Sequence, residues 1–205
     1  MLNLGILEKE LKKRWRYPYH WGRKQSDEWD RKTNFIYKTQ NFDELLNKIY
    51  PFGRDLRDYA MNRWYNFWSA MGIEEMFAAH KNVIANKNSY DKLIDFRINN
   101  IPFDHKTSVY PGGFGFDVDY ALKNKKVLIE WLYQNQSQQG RKHLKNRLFI
   151  ILYNGYGQHW KMKAELTSIE KIIDIYVKSF NINNLISLNY GQGRIFSDII
   201  WFLKR

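Results

Sequence analysis

The chemistry available to this chain concentrates in Leu93-Ile94-Asp95-Phe96-Arg97-Ile98-Asn99-Asn100-Ile101-Pro102-Phe103-Asp104-His105-Lys106-Thr107-Ser108. Residues two apart on a strand share a face, so Asp104 and Lys106 project together and His105 points to the other side. A tight turn at Asn99-Asn100 predicts a hairpin that sets Asp95 opposite Asp104. Two carboxylates a few ångströms apart repel unless a divalent cation sits between them. Hard oxygen ligands favour Mg²⁺ or Mn²⁺, which would polarise a phosphodiester and lower the pKa of a bound water, with Lys106 orienting that water or stabilising developing charge. The product of such a site is hydrolysis.

The elements that must hold these residues follow from periodicity. Leu4, Leu7 and Leu11 recur at helical spacing and predict a short helix ending before Pro18. Phe35-Ile36-Tyr37 reads as a short strand, and Asn41 caps a helix carrying Leu45, Leu46 and Ile49. A long helix is predicted over 55–80, with Ala60, Trp64, Phe67, Trp68, Met71 and Ala78 on one stripe. Strands at 82–87, 92–98 and 101–108 follow, then a Gly-rich loop at Pro111-Gly112-Gly113-Phe114-Gly115 and a helix over 117–135. The apolar run 147–153 predicts a buried central strand, 161–180 a further helix, and 194–203 a strand or short helix. Helix, three strands, helix, strand, helix makes an α/β sandwich with a mixed sheet.

On these residues the chain resembles the PD-(D/E)XK nuclease superfamily, which includes many type II restriction endonucleases and repair or recombination nucleases. Asp95 matches the first metal-binding acid, Asp104 the second and Lys106 the lysine, while Ile94 stands where the motif's name has proline. The family tends to place a Glu on the helix before the three strands. Glu74 and Glu75 both lie there, and the apolar stripe selects Glu75 as the nearer to its centre. The resemblance implies a restriction endonuclease-like three-layer core, with the sheet flanked by helices, over 55–205. Residues 1–54 then form a basic, aromatic N-terminal extension. It implies Mg²⁺ or Mn²⁺ held by Asp95, Asp104 and Glu75, DNA as substrate and a homodimer, although the residues do not choose between DNA and RNA. The family's next helix ends near the site, which makes Gln136 and Arg141, with Gln134, Gln138 and Gln139, candidates to touch phosphate.

Charge agrees with a polyanionic partner. The 205 residues carry 33 Lys and Arg against 21 Asp and Glu, a formal net charge of +12. The stretch 12–24 interleaves cations with rings and nominates Arg14, Arg16, Arg23 and Lys24 as nucleic-acid contacts, and 54–65 repeats the pattern. Such stretches arise equally where Lys and Arg stems cover core aromatics. With 44% hydrophobic and 17% aromatic residues the chain folds, and with no cysteine it has no disulfide, thiolate zinc site or cysteine nucleophile. The five histidines show no H-x₃-H or His-Glu arrangement of metal-ligand spacing, so histidine zinc chemistry is not expected. No run of about 18 apolar residues occurs, and 1–5 leads into charged 8–16, which points to a soluble, cytoplasmic protein. A non-catalytic nucleic-acid-binding protein that keeps this fold is the rival reading.

Overall fold

The computed structural model describes residues 2–20, 27–86, 94–135, 144–189 and 193–205. Two compact units emerge. The first comprises Met1–Glu75 with Lys163–Ser168, the second Met76–Met162 with Ile169–Arg205.

In the first unit, helix α1 (Leu4–Lys13) starts at Asn3, whose side chain accepts from the Ile6 amide, and buries Leu7 and Leu11. Helix α2 spans Asp27–Lys32. Helix α3 (Phe42–Ile49) starts where predicted, with the Asn41 side chain accepting from the Glu44 amide. Pro51 cannot continue it, and the long helix α4 runs over Arg54–Ala78. The strand expected at Phe35-Ile36-Tyr37 is instead part of a 3₁₀ turn, Asn34–Lys38. The indole N–H of Trp68 donates to the Ile36 carbonyl at 3.0 Å, and that of Trp64 to the Thr39 carbonyl at 2.7 Å. Indoles of a neighbouring helix thus take carbonyls that a strand would have turned to a partner strand.

Arg14 does not face a nucleic acid. Its side chain is fully buried, donating from Nη1 to the Tyr17 carbonyl at 2.7 Å and from Nη2 to Asn62 Oδ1 at 2.7 Å. Arg16, two residues on, is exposed, whereas Arg23 and Lys24 lie outside the described residues.

The second unit is built on a six-stranded mixed sheet of order β1-β2-β3-β4-β6-β5. Its strands are β1 (Val83–Ala85), β2 (Phe96–Ile98), β3 (Ile101–Val109), β4 (Arg147–Asn154), β5 (Ile186–Asn189) and β6 (Arg194–Lys204). The first three pair antiparallel, β4 joins β3 in parallel, β6 joins β4 in parallel, and β5 closes the edge antiparallel. The turn between β2 and β3 has φ of 46° at Asn99 and 68° at Asn100, the left-handed pair that a two-residue hairpin requires. The helix expected over 117–135 breaks at Asn124 into α5 (Val118–Lys123) and α6 (Lys125–Asn135), and α7 spans Leu166–Lys178. Leu128, Ile129, Leu132 and Tyr133 of α6 pack on Phe149, Ile151 and Ile199. The opposite face meets α7, where Tyr176 donates to Asp198 at 3.0 Å and Phe180 just beyond packs edge-on against Phe103. Residues 147–152 are buried throughout, as a central strand covered on both sides must be. The sequence missed β5, whose four residues Ile186-Ser187-Leu188-Asn189 are too few to show a period.

Two stability tests follow. Arg14→Ala should destabilise the protein by roughly 2–4 kcal/mol in chemical denaturation, because Asn62 and two carbonyls lose a buried cationic donor, whereas Arg16→Ala should stay within about 0.5 kcal/mol. Lys163 donates to Asn66 Oδ1 at 2.7 Å, and burial pushes its ammonium down to about 8 from 10.5. A lysine lowered in the folded state opposes folding while protonated, and the cost fades as pH rises from about 8 to 10.5. The stability of Lys163→Met relative to wild type should therefore fall steadily across that window.

Candidate functional site

The hairpin forms as predicted, but its regular register stops at Phe96↔Phe103. Asp95 lies in a bend ahead of β2, with its amide donating to the Phe103 carbonyl at 2.9 Å. The bend turns the carboxylate toward His105. Asp95 Oδ2 accepts from the His105 amide at 2.7 Å and lies 3.1 Å from His105 Nδ1. Asp104 and Lys106 share the other face of β3, where Lys106 Nζ sits 2.7 Å from Asp104 Oδ1 and Arg147 Nε donates to Oδ2 at 2.8 Å.

The predicted quartet is therefore divided. The two aspartates turn to different partners: Asp104 to Arg147 and Lys106, and Asp95 to His105. Packing explains the division. Asp104 is directly beside Arg147 in the parallel register, and the guanidinium lies 5.6 Å from the Tyr133 ring centre on the α6 side. His105 is buried on the face of Phe96 and Phe77, whose rings stack at 4.2 Å.

The acid brought to Asp95 and His105 is Glu74. One ligand atom from each of Glu74, Asp95 and His105 lies within 4.8 Å of the others, the only group of three such residues among those described. Glu74 precedes Phe77 by three residues, about 60° away around α4, whereas Glu75 is about 160° from it. The predicted stripe ran through Ala78, which is exposed; the helix end instead buries Ile73, Met76 and Phe77. That shift of the buried line moves the inward acid from Glu75 to Glu74. His105 is the residue that spacing did not reveal, because its carboxylate partners are 10 and 31 positions away in sequence and only the fold unites them.

Electrostatics favour a cation here. Burial pushes the Asp95 carboxyl up, but hydrogen bonds from His105, helped by the charge of Lys106, hold it below the usual aspartate range. Two carboxylates beside one imidazole form a donor set that a divalent ion would suit. Two carboxylate oxygens with one imidazole nitrogen fit Mn²⁺ better than Mg²⁺, which prefers oxygen alone. Of the residues expected on phosphate, Gln134 is exposed near the end of α6, while Gln136 and Arg141 lie outside the described residues.

The Asp104–Arg147 pair is testable for stability. Arg147→Ala should cost roughly 2–4 kcal/mol, because it leaves a buried carboxylate to the half-exposed Lys106, and Asp104→Asn with Arg147→Met together should cost much less than the sum of the two singles. Compared with known proteins, the chain matches no protein-family model, no curated protein and no solved structure.

Proposed function

We propose that this chain is a divalent-metal-dependent nuclease that hydrolyses phosphodiester bonds in DNA, with a restriction endonuclease-like core. The observation that carries the reading is the Glu74–Asp95–His105 group at the base of the β2–β3 hairpin. The order helix, three strands, helix, strand around it supports the same conclusion.

Glu74, Asp95 and His105 would hold the ion. When bound, a divalent cation supplies charge to polarise a phosphodiester and to acidify a water. The residues of the chain do the rest. His105, nine-tenths or more buried, fixes the Asp95 carboxylate through its amide and its ring, so that acid is oriented before any ligand arrives. Lys106 has a side chain 48% exposed, and its charge reaches both Asp104 and Asp95. An exposed cation beside two acids can meet a phosphate oxygen without first leaving a buried site. The excess of positive charge gathers the polyanion by counterion release. The commitment of Asp104 to Arg147 favours the second reading, a nucleic-acid binder whose acids serve the structure.

Cleavage of plasmid and single-stranded DNA decides between them. Mn²⁺ should support cutting at least as well as Mg²⁺, and EDTA should abolish it. Asp95→Asn and Glu74→Gln should each lower the rate by about 100-fold or more, while Glu75→Gln should leave it near wild type. Lys106→Ala should lower the rate as well, with its melting measured beside it because Lys106 is also one of the two cations on buried Asp104. Wild type that binds DNA yet cuts with neither metal would establish the binding protein instead.

A further inference from the structure

The first unit contains a cavity of about 390 Å³, within the range of small-molecule sites, lined by Tyr17, Leu46, Ile49, Tyr50, Arg54, Arg57, Asp58 and Met61. Its floor is apolar, with Ile49 and Met61 buried. Two of its charged side chains are uncommitted. The side chains of Arg54 and Arg57 have no hydrogen bond or ion pair among the described residues, whereas that of Arg63 on the same helix donates to the Asp30 carbonyl, Thr33 and the Tyr37 hydroxyl. Three residues apart on α4, the two free guanidiniums lie on neighbouring turns of one helix face. Tyr50 is 79% exposed, and its ring has no aromatic partner among the described residues. Asp58 supplies an acceptor, its side chain only 13% exposed and 3.8 Å from His20 Nδ1.

We infer that this cavity binds one nucleotide, the phosphate on Arg54 and Arg57 and the base against Tyr50 over the apolar floor. Each part of the lining matches a part of that ligand. Guanidiniums present paired donors to phosphate oxygens. An exposed tyrosine ring stacks a base, and a carboxylate accepts from the amino or imino edge of one. The order of depth agrees. Arg54 is exposed while the Asp58 side chain is largely covered, so the charged end of the ligand lies at the mouth and the base edge lies inside. A simple anion would use the arginines alone and would leave the ring, the floor and Asp58 without a role. The inference does not depend on the metal reading, because no residue is shared with Glu74, Asp95 and His105.

The test is binding of a short fluorescein-labelled single strand in EDTA, followed by anisotropy, on the full chain. Tyr50→Ala should weaken binding about tenfold and Tyr50→Phe should restore it. Arg54→Ala with Arg57→Ala should lower the slope of log affinity against log salt by about 0.7, for the one phosphate they neutralise on a single strand. Because binding is read in EDTA and on residues of the cavity alone, a failure of the nuclease reading stays separate from a failure of this one. A deoxynucleoside monophosphate should displace the strand at concentrations where inorganic phosphate does not. Calorimetry with that monophosphate identifies the source. Affinity equal to that of the strand assigns the cavity to a free nucleotide, and much weaker affinity assigns it to a nucleotide within a strand; both uphold the site. The inference is overturned if Tyr50→Ala and the double arginine variant bind like wild type, their melting unchanged, or if inorganic phosphate competes as well as the nucleotide.

Discussion

The second unit depends on a buried ion pair. Asp104 and Arg147 face each other across the parallel junction of β3 and β4, each side chain 7% exposed. Taking both charges from water is costly, and it is offset only because the carboxylate is met from both sides, by Arg147 Nε and Lys106 Nζ. Neighbouring polar bonds extend the arrangement. The Asp104 amide donates to the Asn146 carbonyl, Asn146 Oδ1 accepts from the Phe196 amide, and Ser197 donates to the Arg147 carbonyl. These contacts register β3, β4 and β6 at one end, where an all-apolar sheet could slip.

From that register the opposite face of β3 follows. With Asp104 held on the α6 side, alternation leaves His105 no choice but the side of Phe77 and Phe96. There it has an aromatic wall, an amide aligned with Asp95 and an acid one helical turn before Phe77. One residue of register therefore separates a structural carboxylate from a candidate ligand. The same alternation puts Lys106 on the structural face, although its exposed ammonium still acts on Asp95 through space.

Much of this was legible in the sequence. Asn99-Asn100 tolerates positive φ, so the hairpin was readable, and the apolar run 147–153 named the central strand. The pairing of Asp95 with Asp104 was not, because it assumed that regular register continues past Phe96. A bend of one residue breaks that assumption and leaves no trace in hydrophobic period. Glu74 is hidden in the sequence for a related reason. The stripe on α4 joins residues of the right type, but a helix buried around most of its girth has no single centre, and Tyr59, Met61, Trp64, Ile73 and Phe77 are all buried.

Charge shows the same limit from another side. A net charge of +12 names a class of partner without saying which cations are free to meet it. Arg14 and Arg63 sit in the two aromatic-rich basic stretches, yet the first is fully buried and the second is tied to Asp30, Thr33 and Tyr37. Arg54 and Arg57 belong to the second stretch, and their side chains are committed to nothing among the described residues. What separates them is the local supply of acceptors. Interior carbonyls and an asparagine surround Arg14, and the turn 30–37 surrounds Arg63, whereas the first turns of α4 open onto a cavity whose acceptor, Asp58, already faces His20. An arginine without an internal acceptor keeps its hydrogen-bonding geometry for a ligand, and the binding surface is therefore set by where the fold runs out of acceptors rather than by where the sequence is most basic.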